Sequence, residues 1–237
     1  MAPIKFYYDL MSQPSRALYI FLKKAKIPFD DHQIALRKGV HLTEEYENNV
    51  NRFQKVPALV DNAFQLSESI AMFRYIAAKE QFNDHWYPKD LQRRGRIDEY
   101  LEWQHSNTRT TCSYYFILKY LKPRMAGKSP DDEYVAESSK KQMDETLNAI
   151  ERLWLHEGKP FIGGSNEISI ADLFGACEIE QPRIAGYDPT VGRPKLSAWM
   201  KSVKDQTNPY YDEAHHYVNK LIMENPDIPE YLKGISV

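Results

Sequence analysis

A serine stands where its hydroxyl can hold an anion. The segment DLMSQPSRA, residues 9–17, follows the apolar stretch IKFYY and places Ser12 two residues before Pro14. This order is typical of a helix start, where unpaired backbone N–H groups and a partial positive charge attract anions. The simpler interpretation makes Ser12 an N-cap that bonds its own helix. No neighbouring histidine or aspartate has a clear claim to activate it as a nucleophile, and no G-x-S-x-G motif is present.

A thiolate is the anion that this position suits. The stretch SQPS stands where a thioredoxin-like fold commonly carries its redox Cys-x-x-Cys pair, with hydroxyls in place of sulfurs. Ionising a thiol of pKa about 8.5 at pH 7 needs a shift of about 2 units, or about 2.7 kcal/mol. A hydrogen bond to a charged group supplies about 1.5 to 3 kcal/mol, and a helix N-terminus about 0.3 to 2 kcal/mol. One hydroxyl and one helix start therefore suffice.

A second segment suits the backbone of a short peptide. In KVPAL, residues 55–59, Pro57 is placed for a cis peptide bond, which leaves the backbone of Val56 free to pair with an extended ligand. Lys55 and His41 are cations that suit a terminal carboxylate. This segment is therefore predicted to bind the middle and one end of a peptide.

A third segment suits the other end. In LSESIAM, residues 66–72, Glu68 and Ser69 lie at a second helix start. A carboxylate there pairs with an ammonium, while a hydroxyl and free backbone N–H groups accept a carboxylate. These are the two charged groups on a γ-glutamyl α-carbon. The alternative is that Glu68 is only a first-turn acid that interacts favourably with the helix dipole.

The elements that must position these residues alternate between strand and helix in the first eighty residues. Turn signals and short runs rich in aromatic and apolar residues predict strands at 4–8, 29–36, 56–61 and 63–66. Apolar residues three and four apart predict a first helix with the stripe Pro14, Ala17, Leu18, Phe21, Leu22 and Ala25, and a second helix at 67–80. This order is typical of a small α/β domain that resembles thioredoxin.

Only helical patterns follow. A long helical segment is predicted at 89–122, and Ser169 with Asp172 has the spacing of a capping box. The final helix is predicted from Ala214, Tyr217, Val218, Leu221 and Ile222. The predicted organisation is an α/β domain at 1–80, a linker at 81–90 and an all-α domain at 91–237.

Composition excludes several classes of function. The 237 residues are 42% hydrophobic with a formal net charge of -2, so no nucleic-acid partner is indicated. Cys112 and Cys177 are far apart, and His215 and His216 are neighbours that point about 100° apart on a helix, so neither a disulfide nor a metal site is predicted. The histidine pair is predicted to lie on a partly exposed helix surface. No signal peptide or membrane-spanning run is recognisable, which predicts a cytoplasmic protein without a membrane partner.

Together these motifs resemble those of the cytosolic glutathione transferases. The chain contains, in order, SQPSRA, KGVHL, QKVPAL, LSESIA, WYPKDLQRRGRIDEYLEWQH and ISIADL, and the serine form SQPSR most resembles the theta class. The resemblance implies a thioredoxin-like N-terminal domain that binds glutathione and an all-α C-terminal domain that contributes the electrophile pocket. It also implies a homodimer, glutathione as cosubstrate and no permanently bound cofactor.

The resemblance assigns roles to individual residues. Ser12 becomes the catalytic hydroxyl, and Arg109 resembles a theta-class arginine that faces the second-substrate pocket. Tyr115 is predicted as a wall of that pocket, with a core position as the alternative. Tyr231 and Leu232 in the C-terminal tail either cover the pocket or extend from the fold. The implied glutathione contacts are His41, Lys55, Val56, Glu68 and Ser69.

The predicted function is conjugation of the glutathione thiolate to small electrophiles in detoxification, without a general base. A peroxidase or dehalogenase preference uses the same thiolate, and the sequence does not name the electrophile. Tyr7 or Tyr8 is the alternative hydroxyl, because other transferase classes use a tyrosine near this strand. The alternative function is a non-catalytic binding or assembly module with the same fold.

Overall fold

The computed structural model describes residues 3–126, 133–156, 158–225 and 228. In the described residues every strand lies before residue 67, in one mixed four-stranded sheet of order β2-β1-β3-β4. The strands are β1 (Ile4–Tyr8), β2 (Phe29–Gln33), β3 (Ala58–Asp61) and β4 (Phe64–Leu66). The helices around the sheet are α1 (Gln13–Lys24), α2 (Glu44–Asn49) and α3 (Ser69–Lys79).

The strand register brings four loops to one edge of the sheet. β1 runs parallel to β2, with Tyr8 opposite Gln33, so the chain leaves both strands at the same edge. β3 runs antiparallel to β1 and begins opposite Tyr7, so residues 55–57 enter at that edge. β4 is antiparallel to β3 and ends opposite Leu59, so residues 67–69 also leave there. We call these four segments the sheet-edge loops.

The predicted stripe of α1 is buried against the sheet. Ala17, Leu18, Phe21 and Leu22 are all 0% exposed, and they pack with Phe6 of β1 in the main core. Full burial of each Leu or Phe side chain contributes about 1.5 to 3 kcal/mol to folding. The start of α1 is therefore firmly fixed relative to the sheet edge.

The helical region begins with one long, locally widened helix. Its parts are α4 (Leu91–Gln104), a π-helical turn His105–Arg109, α5 (Thr110–Phe116), a second π-helical turn Ile117–Leu121 and α6 (Lys122–Ala126). Asp90 caps it, because its Oδ1 accepts the backbone N–H of Arg93 at 2.8 Å. The helices that follow are α7 (Glu133–Ala149), which continues into a π-helical turn Ile150–Trp154, α8 (Ile170–Glu180), α9 (Pro194–Thr207), α10 (Tyr210–Ala214) and α11 (His216–Glu224).

The predicted capping box at the start of α8 is confirmed. Asp172 is fully buried and accepts four hydrogen bonds: from the Ser169 backbone and hydroxyl, from Ile162 N at 2.8 Å and from Trp199 Nε1 at 2.8 Å. Burial raises the pKa of Asp172 to about 6, although these donors oppose the shift. Asp172 thus joins the loop before α8 to α9.

Three sequence predictions need correction, and one helix was not predicted. The second strand ends at Gln33 rather than at residue 36, and the short helix α2 was not predicted. The predicted final helix is two helices, because the backbone of His215 leaves helical geometry (φ -93°, ψ 7°) between α10 and α11. The prediction that both histidines lie on a partly exposed surface is wrong for His215, which is 1% exposed, whereas His216 is exposed.

Candidate active site

Ser12 occupies the N-cap position of α1, but its side chain does not cap the helix. Its backbone is extended (φ -83°, ψ 122°), and its hydroxyl makes no cap hydrogen bond. The side chain is half-buried, and its hydroxyl has no hydrogen-bond partner within the described part of the chain. Ser12 is therefore the N-cap residue of α1 by position, but its hydroxyl does not bond the helix. The hydroxyl is available to a ligand beside a helix start whose first N–H groups lack intrahelical acceptors.

Asp9 shapes the turn that presents Ser12, and the sequence analysis missed it. Its backbone O accepts Ser12 N at 2.9 Å, and its Oδ1 accepts Met11 N at 2.8 Å. Its Oδ2 accepts Leu36 N at 2.9 Å, which fastens the turn to the segment after β2. An aspartate directly after a strand is a known turn signal, so this role was recognisable in principle.

The segment before β3 has the predicted backbone geometry. The Val56–Pro57 peptide bond is cis, as the proline position predicted. Val56 is half-buried, and its backbone N–H and C=O have no hydrogen-bond partner among the described residues. Lys55 is exposed, and its ammonium has no ion-pair partner in the described ranges. This segment thus offers unpaired backbone groups and a cation at the sheet edge.

Asn51 joins two of the sheet-edge loops and was also missed. It is 2% exposed, and its Nδ2 donates to the backbone O of Lys55 at 2.8 Å. Its Oδ1 accepts Ser67 Oγ at 2.6 Å and Phe53 N at 3.0 Å. The backbone at Lys55 and the segment that leads into α3 are therefore held together by one buried amide.

His41 lies in a short 3-10 turn after β2. The neighbouring Leu42 accepts Gln54 Nε2 at 3.1 Å through its backbone O, which connects this turn to the segment of Lys55. The His41 ring is half-buried, and its Nδ1 is buried without a hydrogen-bond partner in the described residues. A polar atom in this state gains from a ligand that supplies the missing partner.

Glu68 has the most unusual backbone of the predicted contacts. It precedes α3 with φ 65° and ψ 111°, a conformation that costs a non-glycine residue about 1 to 3 kcal/mol. Its side chain is exposed and makes no cap hydrogen bond. Ser69 is the half-buried first residue of α3. Strain at an exposed acid is a feature of ligand-binding positions rather than of simple capping.

Neither tyrosine of β1 is placed like Ser12. Tyr8 is 0% exposed, and its hydroxyl donates to Asp31 Oδ2 at 3.1 Å and accepts from Gln33 Nε2 at 3.2 Å. Tyr7 stacks on His32, with the ring centroids 4.5 Å apart. Burial raises the pKa of both hydroxyls. These contacts disfavour the tyrosine alternative.

Arg109 ends the first π-helical turn and pairs with a buried acid. Its Nη1 donates to Glu178 Oε1 at 2.6 Å; the Arg109 side chain is 40% exposed and that of Glu178 is 1% exposed. Burial raises the pKa of Glu178, and the nearby guanidinium opposes this shift. Glu178 was not singled out in the sequence, because nothing local marks its partner 69 positions away.

Tyr115 lies in the core, the position that the alternative interpretation gave it. It is 5% exposed and packs edge-on against Tyr187, with the ring centroids 5.6 Å apart. The apolar cluster next to Met11 contains other residues of the same helical segment and of the C-terminal part, namely Phe116, Ile117, Tyr120, Ile184, Ala185, Val218, Leu221, Ile222 and Ile228. Tyr115 is not part of this cluster, and its pocket role stays a prediction. Tyr231 and Leu232 lie outside the described residues.

Arg16 is the largest omission of the sequence analysis. It is 0% exposed and joins α1 to α8, because its Nη2 donates to Cys177 O at 2.8 Å and to Gln181 Oε1 at 2.7 Å. Its Nη1 donates to Leu10 O at 2.8 Å, directly before the turn of Ser12. An arginine behind a helix start has no sequence signal that distinguishes this role from a surface position.

Comparisons with known proteins identify the family. Residues 3–78 match the family model "Glutathione S-transferase, N-terminal domain", and residues 114–206 match "Glutathione S-transferase, C-terminal domain". The chain belongs to the glutathione S-transferase family. The theta-class resemblance and the predicted fold class, a thioredoxin-like α/β domain followed by an all-α domain, are confirmed.

Glutathione transferases of the theta class are among the similar proteins. The chain is 40% identical over 227 residues to glutathione S-transferase theta-1 of Bos taurus, which covers 95% of this chain and 93% of the relative. Human glutathione-S-transferase T1-1 in its apo form matches with a TM-score of 0.86 at 36% identity, covering 97% of this chain and 95% of that one. A human theta-class transferase in complex with the glutathione conjugate of 1-menaphthyl sulfate matches with a TM-score of 0.85 at 36% identity, covering 94% and 88%.

The described residues contain neither a membrane-spanning helix nor a metal-binding cluster. None of the helices found there has the length and apolarity needed to cross a membrane. Among those residues, no three His, Cys, Asp or Glu side chains are grouped so that they could hold a metal ion.

Proposed function

We propose that this protein conjugates glutathione to small electrophiles, with Ser12 as the residue that stabilises the thiolate. The thiol releases its proton to solvent, the sulfur electron pair forms a bond to the electrophilic carbon, and the leaving group departs with its bonding pair. The protein supplies ionisation and proximity rather than a nucleophile of its own. Glutathione is a cosubstrate in this scheme.

One observation carries the proposal. Ser12 stands at the start of a helix with a hydroxyl that bonds no described residue, although this position normally caps its own helix. A hydrogen bond from this hydroxyl and the field of the helix start both favour the charged form of a sulfur placed there. The tyrosines of β1 lack this position.

The sheet-edge loops supply the remaining contacts. We assign the glycine carboxylate to His41 and Lys55, the peptide backbone to Val56, and the γ-glutamyl group to Glu68 and Ser69. The support is geometric, because the strand register brings all of these segments to the edge at which Ser12 lies. The orphaned Nδ1 of His41 and the strained backbone of Glu68 also suit a ligand.

The electrophile side is assigned to the helical region. Arg109 is proposed to stabilise an anionic leaving group, supported by its half-exposed guanidinium and by the related human enzyme whose bound conjugate derives from a sulfate ester. The apolar cluster next to Met11 suits the carbon skeleton of the electrophile.

Four further features stay proposals: the domain boundaries 1–80, 81–90 and 91–237, the homodimer, the role in detoxification and the cytoplasmic location. The last is supported by two free, buried cysteines, Cys112 and Cys177.

Conjugation kinetics test the proposal. Purified protein is incubated with glutathione and a panel of arylmethyl halides, sulfate esters, epoxides and hydroperoxides, and thioether or disulfide products are quantified. We expect saturable conjugation that falls about 10- to 100-fold in Ser12→Ala and little in Tyr7→Phe, as loss of one hydrogen bond to a charged group predicts. Glutathione binding without turnover of any electrophile would instead favour the non-catalytic module.

A further inference from the structure

Glu178 links the two sides of the proposed site from a buried position. Its Oε1 accepts Arg109 Nη1 at 2.6 Å, and its Oε2 accepts Ser113 Oγ at 3.4 Å. Ser113 Oγ in turn accepts Gln13 Nε2 at 2.9 Å, and Gln13 is the first residue of α1, next to Ser12. One carboxylate therefore connects the arginine of the electrophile side to the helix start of the sulfur side.

The exposure of the ion pair is uneven. The Glu178 side chain is 1% exposed while that of Arg109 is 40% exposed, so the acid anchors the arginine from below and leaves part of the guanidinium accessible. The neighbouring pair of Glu180 and Arg183 differs, because both its side chains are nearly covered, at 3% and 5%. A pair that only fills the core resembles Glu180 and Arg183. The pair of Glu178 and Arg109 leaves its cation accessible to a ligand.

The local helix geometry also points to function. Arg109 is the last residue of the π-helical turn His105–Arg109, and such turns inside α-helices occur frequently at functional sites. The extra residue changes where the side chains after it point. The arginine therefore depends on a tertiary contact, rather than on helix geometry alone, to hold its guanidinium in one orientation.

We propose that Glu178 is a positioning residue that holds Arg109 directly, and Gln13 through Ser113, so that the guanidinium has a fixed place relative to the thiolate at Ser12. This inference rests on the proposed function. The substrates that need it are electrophiles with an anionic group on the reacting carbon, such as sulfate esters. In that reaction the C–S bond forms as the C–O bond breaks, and the sulfate dianion leaves with the bonding electron pair.

Two substitutions separate the positioning role from a structural one. Glu178→Met keeps the side-chain volume but removes the acceptor, whereas Glu178→Gln keeps an acceptor without the charge. The readout is kcat/KM for 1-menaphthyl sulfate divided by kcat/KM for the chloride with the same carbon skeleton. We expect Glu178→Met to lower this ratio about tenfold or more, and Glu178→Gln to restore it to within about threefold of the unsubstituted protein.

A double substitution tests whether Glu178 acts through Arg109. Arg109→Ala is expected to lower the ratio, and Arg109→Ala with Glu178→Met is expected to lower it no further. Glu180→Gln is the matched control, because Glu180 lies two residues after Glu178, is equally buried and forms its ion pair with Arg183. This substitution should leave the ratio unchanged. If Glu178→Met does not fold, Ser113→Ala is the second variant, with an expected fall of about threefold.

The outcomes are distinct. An equal loss on both substrates in Glu178→Met, or additive losses in the double variant, would overturn the positioning role while leaving the proposed function intact. Absence of conjugation by the unsubstituted protein, with either substrate, would instead remove the proposed function itself.

Discussion

The sheet-edge loops and the contact between the two domains are built in opposite ways. At the edge, Lys55 and Glu68 are exposed and have few partners of their own. Between the domains, Arg16 is buried and donates hydrogen bonds to acceptors on both sides, Leu10 O and Cys177 O. The first arrangement leaves charges for a ligand, and the second uses charges to fix one helix against another. Substitutions at the edge should therefore affect binding, and those between the domains should affect stability.

The largest effect is expected at Arg16. Arg16→Met removes a buried donor and leaves Leu10 O, Cys177 O and Gln181 Oε1 without it. Because each buried acceptor that loses its partner costs about 1 to 3 kcal/mol, we expect the free energy of unfolding to fall by about 3 kcal/mol or more. Urea unfolding followed by circular dichroism measures this loss.

Lys55→Met is the matched control for the same comparison. It also replaces a long cation by methionine, but at an exposed position, so we expect less than about 0.5 kcal/mol of lost stability. Its glutathione Kd should rise about tenfold, as loss of a charge-assisted bond predicts. Similar destabilisation by both substitutions would show that the two regions do not differ as described.

A smaller difference in stability is expected between two substitutions of Glu68. Glycine tolerates the positive φ of this position, so Glu68→Gly should be about 1 to 2 kcal/mol more stable than Glu68→Ala. Both substitutions remove the carboxylate, so both should weaken glutathione binding equally. Thermal unfolding and calorimetric titration check the two halves of this prediction. Equal stability of the two variants would mean that the backbone at Glu68 is unstrained.

The smallest effect is a pH dependence that originates at a buried histidine of the helical region. Burial, together with the charges of Arg16, Arg183 and Lys204, lowers the pKa of His215 well below its ordinary value. As pH falls, this histidine is protonated in the unfolded chain at a higher pH than in the folded protein. Its contribution to the free energy of unfolding is therefore complete above about pH 6.5 and is lost as pH falls. For this residue alone we expect a loss of about 1 kcal/mol between pH 7 and pH 5.5.

His215→Phe should remove that share of the pH dependence. Denaturant unfolding at a series of pH values gives the slope for the variant and for the unsubstituted protein. His216→Phe is the control, because His216 is adjacent and exposed. A slope that His215→Phe leaves unchanged would contradict a buried neutral imidazole.

The comparison also explains what the sequence predicted. The strands, the stripe of α1, the cis-proline position and the capping box of α8 depend on neighbours within a few residues, and local patterns record them. The grouping of the sheet-edge loops follows from the strand order, which places their segments together. Asp9 and Asn51 have local turn signals that were overlooked rather than absent.

The contacts between the domains depend on pairs far apart in sequence. Arg16 contacts Cys177 and Gln181 across more than 160 positions, and no periodicity marks an arginine whose acceptors are supplied by another helix.

His215 is buried because the chain turns between α10 and α11, which breaks the helical stripe from which its exposure was inferred. The helix α2 has only Tyr46 buried, so it lacks the apolar stripe on which helix prediction relies.

The thiolate absorbance of bound glutathione shows whether Ser12 lowers the pKa of the sulfur. A titration at 240 nm in the presence of saturating glutathione gives the pKa of the bound thiol in the unsubstituted protein and in Ser12→Ala. Our account predicts an apparent pKa about 2 units below that of the free thiol, and a return of at least about 1 unit toward the free value in Ser12→Ala. A bound thiol that titrates like free glutathione, or a lowered pKa that Ser12→Ala leaves unchanged, would contradict it.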